Sequence, residues 1–250
     1  MPEDMLSVPT PDGAMGAYVR RPEGDGPFPV IVYFHHGPGL HPGSKESMQR
    51  LANAGYYVVS PDRYHRDGAW LTFDPAVMRS GTPEGDALRK SMFSVLMATS
   101  DDMVETDLKA LLTTLDNESA ARAAPMGVIG FCIGARSVLR TIANHPDVFT
   151  AGVALHPSFC TTADADSPHL GVPSYSGHLY VGFGAEDKMQ SAADNDDFII
   201  ATNAMSDGRG LAEIHDGADH GFAVPGGAYH DAAADRSYQK ALEIFEKAVA

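Results

Sequence analysis

Gly130-Phe131-Cys132-Ile133-Gly134 restricts this chain more than any other feature of its sequence. The apolar run 126–131 ahead of it reads as a buried strand, and 133–144 carries helical spacing. The five residues therefore mark a sharp strand-to-helix turn. Such a turn strains the backbone of its central residue, and glycines two positions to either side leave room where a Cβ would collide. The rest of the chain alternates accordingly. Strands are expected at 14–20, 29–35, 56–60, 149–156, 178–184 and 211–215. Helices are expected from Ser44 to a stop at Gly55, then at 86–98, 101–115, 192–205 and 231–249. Strands alternating with helices predict the α/β class, with a mostly parallel central sheet covered by helices on both faces.

The helix at 101–115 has Ser100 as its expected N-cap and Met103, Val104, Leu108, Leu111, Leu112 and Leu115 as its buried stripe. Residues 62–85 have no steady period and read as an excursion over the carboxyl edge of the sheet. With the loop 157–177, they are expected to shape a pocket. A length of 250 residues at 44% hydrophobic composition suits one domain spanning 1–250, and no internal repeat divides it. The formal net charge of -15 argues against nucleic acid or anionic membrane as a partner. Two cysteines in unlike settings suggest no disulfide framework, and no apolar stretch has the length of a membrane span. The reading is a cytoplasmic protein, monomeric or a small homo-oligomer, acting on a small molecule.

Cys132 is the expected nucleophile. The helix beginning at Ile133 points free amides and a positive dipole end at the sulfur, which favours the thiolate. An oxyanion formed on an attacked carbonyl would take the N–H of Ile133, with Gly37 in His36-Gly37-Pro38-Gly39 as the second donor. A base and its orienter are expected on loops after later strands. Asp219-His220-Gly221-Phe222 supplies His220, and Gly184-Ala185-Glu186-Asp187 supplies Asp187, which lies deeper in its loop than Glu186. Asp194, Asp196 and Asp216 are nearby competitors for the acid. Cys160 lacks such a setting and is expected to be inert.

With GFCIG, GAEDK, DHGF and SPDRYHRDG in place, the chain resembles the dienelactone hydrolases (carboxymethylenebutenolidases) of the α/β-hydrolase superfamily along nearly its whole length. That resemblance implies hydrolysis of a lactone or ester through an acyl-enzyme on Cys132, without metal or organic cofactor. The chain departs from the family pattern twice. His36 stands where the family has a glutamate that holds the resting thiol, so His36 is a candidate for the sulfur or the substrate. No arginine closely follows His220, whereas the family uses one there to bind a carboxylate. Unless Arg63, Arg66, Arg79 or Arg136 reaches the pocket, the expected substrate is neutral. Phe222 completes the pocket candidates.

Two other readings compete. A thiol redox protein would oxidise Cys132, but Cys160 is a distant partner in sequence. A metal site on His35, His36, His41 and His65 has unconvincing spacing and no carboxylate or cysteine to complete it. A general esterase or thioesterase acting on neutral substrates is the nearer alternative.

Overall fold

The computed structural model describes residues 3–249, and their contacts group into two compact units. Among the described residues, the first comprises 3–123 with 225–227; the second comprises 124–224 with 228–249.

In the first unit, β1 (Glu3–Thr10) and β2 (Gly13–Arg20) form an antiparallel hairpin. β2 pairs antiparallel with β4 (Tyr57–Pro61), and β4 pairs parallel with β3 (Val30–Phe34). The order is β1-β2-β4-β3. β1 was not expected from the sequence, because Asp4, Pro9 and an exposed Met5 hide its alternation. Its position at the edge of the order explains the tolerated proline, which has no N–H to give a second neighbour. Both β3 and β4 are buried throughout, as strands covered on two faces must be.

Four helices accompany these strands: α1 (Pro42–Asn53), α2 (Pro75–Met78), α3 (Pro83–Ala98) and α4 (Asp101–Leu115). α1 starts before Ser44. His41 is its N-cap, accepting the Gly43 N–H on Nδ1 at 3.1 Å, and Pro42 occupies the first turn. α4 is capped by Ser100 as expected, but its buried face differs. Met103 is exposed, and Asp107 is buried among Leu108, Leu111 and Leu115. The carboxylate can be buried because Arg66 grips both its oxygens, at 2.7 and 2.8 Å, and His65 lies 3.2 Å away. Apolar periodicity cannot foresee a paired charge.

The second unit is the regular one. β5 (Met126–Phe131), β6 (Phe149–Leu155), β7 (His178–Gly184) and β8 (Gly210–His215) lie parallel in chain order. α5 (Ile133–Asn144), α6 (Ala192–Asn203) and α7 (Asp231–Ala248) are interleaved with them. Parallel neighbours require crossovers, and a parallel sheet puts every strand's carboxyl end on one edge. The loops carrying Cys132, Asp187 and His220 follow β5, β7 and β8, so all three residues arrive at that edge. Among the described residues, no helix is long and apolar enough to cross a membrane.

Candidate active site

Cys132 stands between β5 and α5 with φ 56° and ψ -118°, a left-handed conformation that costs a non-glycine residue energy. Its backbone is held from several sides. The Cys132 N–H donates to Leu155 O at 3.1 Å, and its carbonyl accepts from Ser158 at 3.1 Å and Ala135 at 3.0 Å. The preceding glycine is required by contact: a Cβ on Gly130 would run into the Gly134 backbone. Gly130→Ala is therefore expected to lower stability by about 3 kcal/mol. The denaturant midpoint checks this, and an unchanged midpoint would count against so tight a turn.

The sulfur is half-buried and meets three hydrogen-bonding groups: the His220 ring, the Ser158 hydroxyl at 3.5 Å, and the N–H of Ile133. Burial pushes the thiol up, but the His220 charge and these hydrogen bonds outweigh it, so the thiol ionises below its ordinary range. His220 shows the reciprocal effect. Burial pushes it down, but the sulfur's charge and the Asp187 carboxylate lift it to about 10. Thiolate and imidazolium stabilise each other and titrate as a pair.

Asp187 is hydrogen-bonded to the ring. Its Oδ2 accepts from His220 Nδ1 at 2.7 Å, and its Oδ1 accepts the Met189 N–H at 2.8 Å. The Asp187 and His220 side chains are only 7% and 15% exposed, so the pair is largely screened from water. With Nδ1 committed to the carboxylate, Nε2 is the nitrogen left to serve the sulfur. The two loops are laced together: Ala185 donates to His215 O at 3.0 Å and Glu186 to Ala218 O at 2.9 Å. Of the acids weighed from the sequence, the structure brings Asp187 to His220, whereas Asp194 binds Ser191 at the N-cap of α6.

The other sequence candidates are spread out. Phe222 is fully buried and packs on the rings of His156 and His215, not at an open surface. Arg136, one turn into α5, donates to Phe159 O at 2.5 Å. In the first unit, Arg63 donates to Thr99 O at 3.2 Å, and Arg79 is exposed with its stem beside Gly227. Gly37 accepts the Tyr64 hydroxyl on its carbonyl at 2.8 Å.

His36 pairs with His41, Nε2 to Nε2 at 2.7 Å. Because His41 Nδ1 already accepts from Gly43, its proton sits on Nε2 and is donated to His36. His35 donates from Nδ1 to His36 O at 2.9 Å, and burial depresses it to about 4. His65 is held by Asp107. Among the described residues, no three or more His, Cys, Asp or Glu side chains gather as a metal site would need.

Sequence reasoning missed two residues here, His156 and Ser158. His156 is fully buried with φ 36°, its ring edge-on to His220 at 5.0 Å between centroids. Both lie in His156-Pro157-Ser158 at the carboxyl end of β6; the loop 157–177 is expected to shape a pocket, but the sequence offers no catalytic candidate in it.

The model of the dienelactone hydrolase family matches residues 15–249. A Synechocystis protein described as a candidate carboxymethylenebutenolidase is 26% identical over 249 residues, covering 97% of this chain and 95% of that protein. A Methylorubrum extorquens protein of the same description is 30% identical over 149 residues, 60% of this chain; the match spans about half of that longer protein, 47%. The crystal structure of a candidate dienelactone hydrolase from Klebsiella pneumoniae superposes with a TM-score of 0.78 at 24% identity, covering 98% of each chain. That likeness shows the α/β-hydrolase fold.

Proposed function

Since the chain belongs to the dienelactone hydrolase family, and so to hydrolases of ester and lactone bonds, we propose that it works as a single domain through a Cys132 acyl-enzyme. In this reading His220 is the acid and base, and Asp187 its orienter. The observation that carries it is geometric: Cys132 sits on a strained strand-to-helix turn with φ 56°, its sulfur meets the His220 ring, and that ring is held by Asp187 Oδ2 at 2.7 Å.

The thiolate attacks the carbonyl carbon, forming a C–S bond while the carbonyl electrons move to oxygen. Ile133 N–H, at the N-terminus of α5, serves the resulting oxyanion, and the sequence offers Gly37 as a second donor. The oxyanion collapses, the C–O bond breaks, and His220 gives its proton to the departing alkoxide. In a lactone that alkoxide stays on the same molecule. Water then attacks the thioester as His220 takes its proton, the C–S bond breaks, and thiolate and imidazolium are restored. No step requires a cofactor.

The arginines of the triad's own unit favour a neutral substrate. Arg140 binds Asp166 at 2.9 Å, Arg236 binds Glu213 at 2.6 Å, Arg209 pairs with Asp207 at 3.4 Å, and Arg136 is turned to a backbone carbonyl. Matched esters and lactones with and without a carboxylate test this point: a kcat/KM at least about tenfold higher for the charged member would reverse it. For the mechanism, iodoacetamide should modify Cys132 and abolish ester hydrolysis in proportion. Complete labelling of Cys132 with full activity retained would end the acyl-enzyme reading.

A pH profile follows from the two shifts. Below the thiol's lowered value the sulfur is protonated and cannot attack. Above the imidazole's raised value, about 10, no proton remains for the leaving alkoxide. After correction for the buffer rate, kcat/KM is expected to rise on an acid limb below the ordinary thiol range of about 8.5 and to fall only towards 10.

A further inference from the structure

We propose that Ser158 is a catalytic residue outside the triad, donating its hydroxyl to the charged Cys132 sulfur and setting the direction from which the sulfur attacks. This rests on the reading of Cys132 as nucleophile.

Ser158 is 1% exposed, so water does not compete for its hydroxyl, which lies 3.5 Å from the sulfur. The protonation state of the sulfur decides the direction of that hydrogen bond. A neutral thiol can donate to Oγ; a thiolate has no proton and can only accept, so the hydroxyl turns to donate to it. The thiolate then has three donors from three elements: the imidazolium on the loop after β8, the first amide of α5, and Ser158 on the loop after β6.

The backbone around Ser158 is shaped for this placement. His156 and Phe159 flank it with φ 36° and 56°, left-handed values unfavourable for both residue types. The strained segment is pinned at each end and at its centre. His156 N–H donates to Gly182 O at 2.8 Å, Arg136 grips Phe159 O, and Ser158 N–H donates to Cys132 O at 3.1 Å. The last bond ties the serine to the backbone of the residue whose sulfur it serves. A small residue needed only to fill space would not call for two strained neighbours, and alanine would fill the same space.

A donor that stabilises the thiolate raises its fraction at a given pH but reduces its intrinsic nucleophilicity. Removal should therefore be costly on the acid side of the profile and nearly neutral on the alkaline side. A packing defect would lower the rate at every pH alike.

The test is the pH dependence of iodoacetamide alkylation at Cys132, followed by mass spectrometry of its peptide, in wild type, Ser158→Ala, Ser158→Gly and Ser158→Thr. The acid limb is expected to move up by about one pH unit in the alanine and glycine variants and to return in threonine, which restores the hydroxyl. Either hydroxyl-free variant that folds gives the answer. A limb that stays in place, or that moves equally in threonine, overturns the role of Ser158. The failure of the nucleophile reading looks different: Cys132 would be alkylated without loss of ester hydrolysis, whatever residue 158 does.

Discussion

Cys132→Ala is expected to reduce kcat/KM for an activated ester by about 10,000-fold while leaving the fold intact. The size follows from what alanine leaves behind. The amide of Ile133 and the substrate-binding surface would survive, but no atom would remain to form the thioester, and water would have to attack the ester directly. Only the contributions of binding and oxyanion stabilisation would persist.

The expected effect on stability is small. Residue 132 keeps an unfavourable φ of 56° whichever side chain it bears, the favourable pairing of thiolate with imidazolium is lost, and His220 stays paired with Asp187 and can shed its proton rather than remain an uncompensated buried charge. Its thermal midpoint should fall only slightly below that of wild type, so lost activity cannot be blamed on unfolding. Activity within tenfold of wild type in a folded Cys132→Ala protein would remove the thiol from the mechanism.

What the sequence disclosed in advance depended on how local the signal was. The turn at Cys132 is specified within five residues, because Gly130 alone avoids the Gly134 backbone, and β5 and α5 occupy the spans their spacing predicts. The meeting of Asp187 with His220 was legible through their place after consecutive strands of a parallel sheet, where chain order and spatial order coincide.

Long-range pairings were not legible. Asp107 falls on the apolar face of α4, and only the approach of Arg66 and His65, about forty residues earlier in the chain, makes its burial tolerable. α1 begins at Pro42 rather than at the expected Ser44, because His41 caps the helix, a role that apolar spacing does not reveal. Ser158 gave no periodic or glycine signal. Its importance comes from two positive φ values and one contact to sulfur, which are properties of the folded backbone.

Asp187→Asn is expected to lower kcat/KM by about 1,000- to 10,000-fold, and its pH profile should narrow from the alkaline side. The carboxylate does two things at once. By accepting the Nδ1 proton at 2.7 Å it presents Nε2 to the sulfur, and by its charge it helps hold the imidazolium up to about 10. Asparagine can offer an N–H to Nδ1 and so favour the tautomer whose proton sits on Nε2, which is the wrong state for accepting a proton from thiol or water.

The sign of the pH effect follows directly. Asp187 raises the imidazole, so its loss lets burial pull the imidazole back down, and the alkaline limb retreats below 10. The thiol loses part of its cationic partner at the same time, and the acid limb moves up to meet it. A profile that loses height but keeps both limbs would mean that the carboxylate only steers the ring. A variant with near wild-type rate would mean that another group orients His220, and the assignment of the orienting acid would have to change.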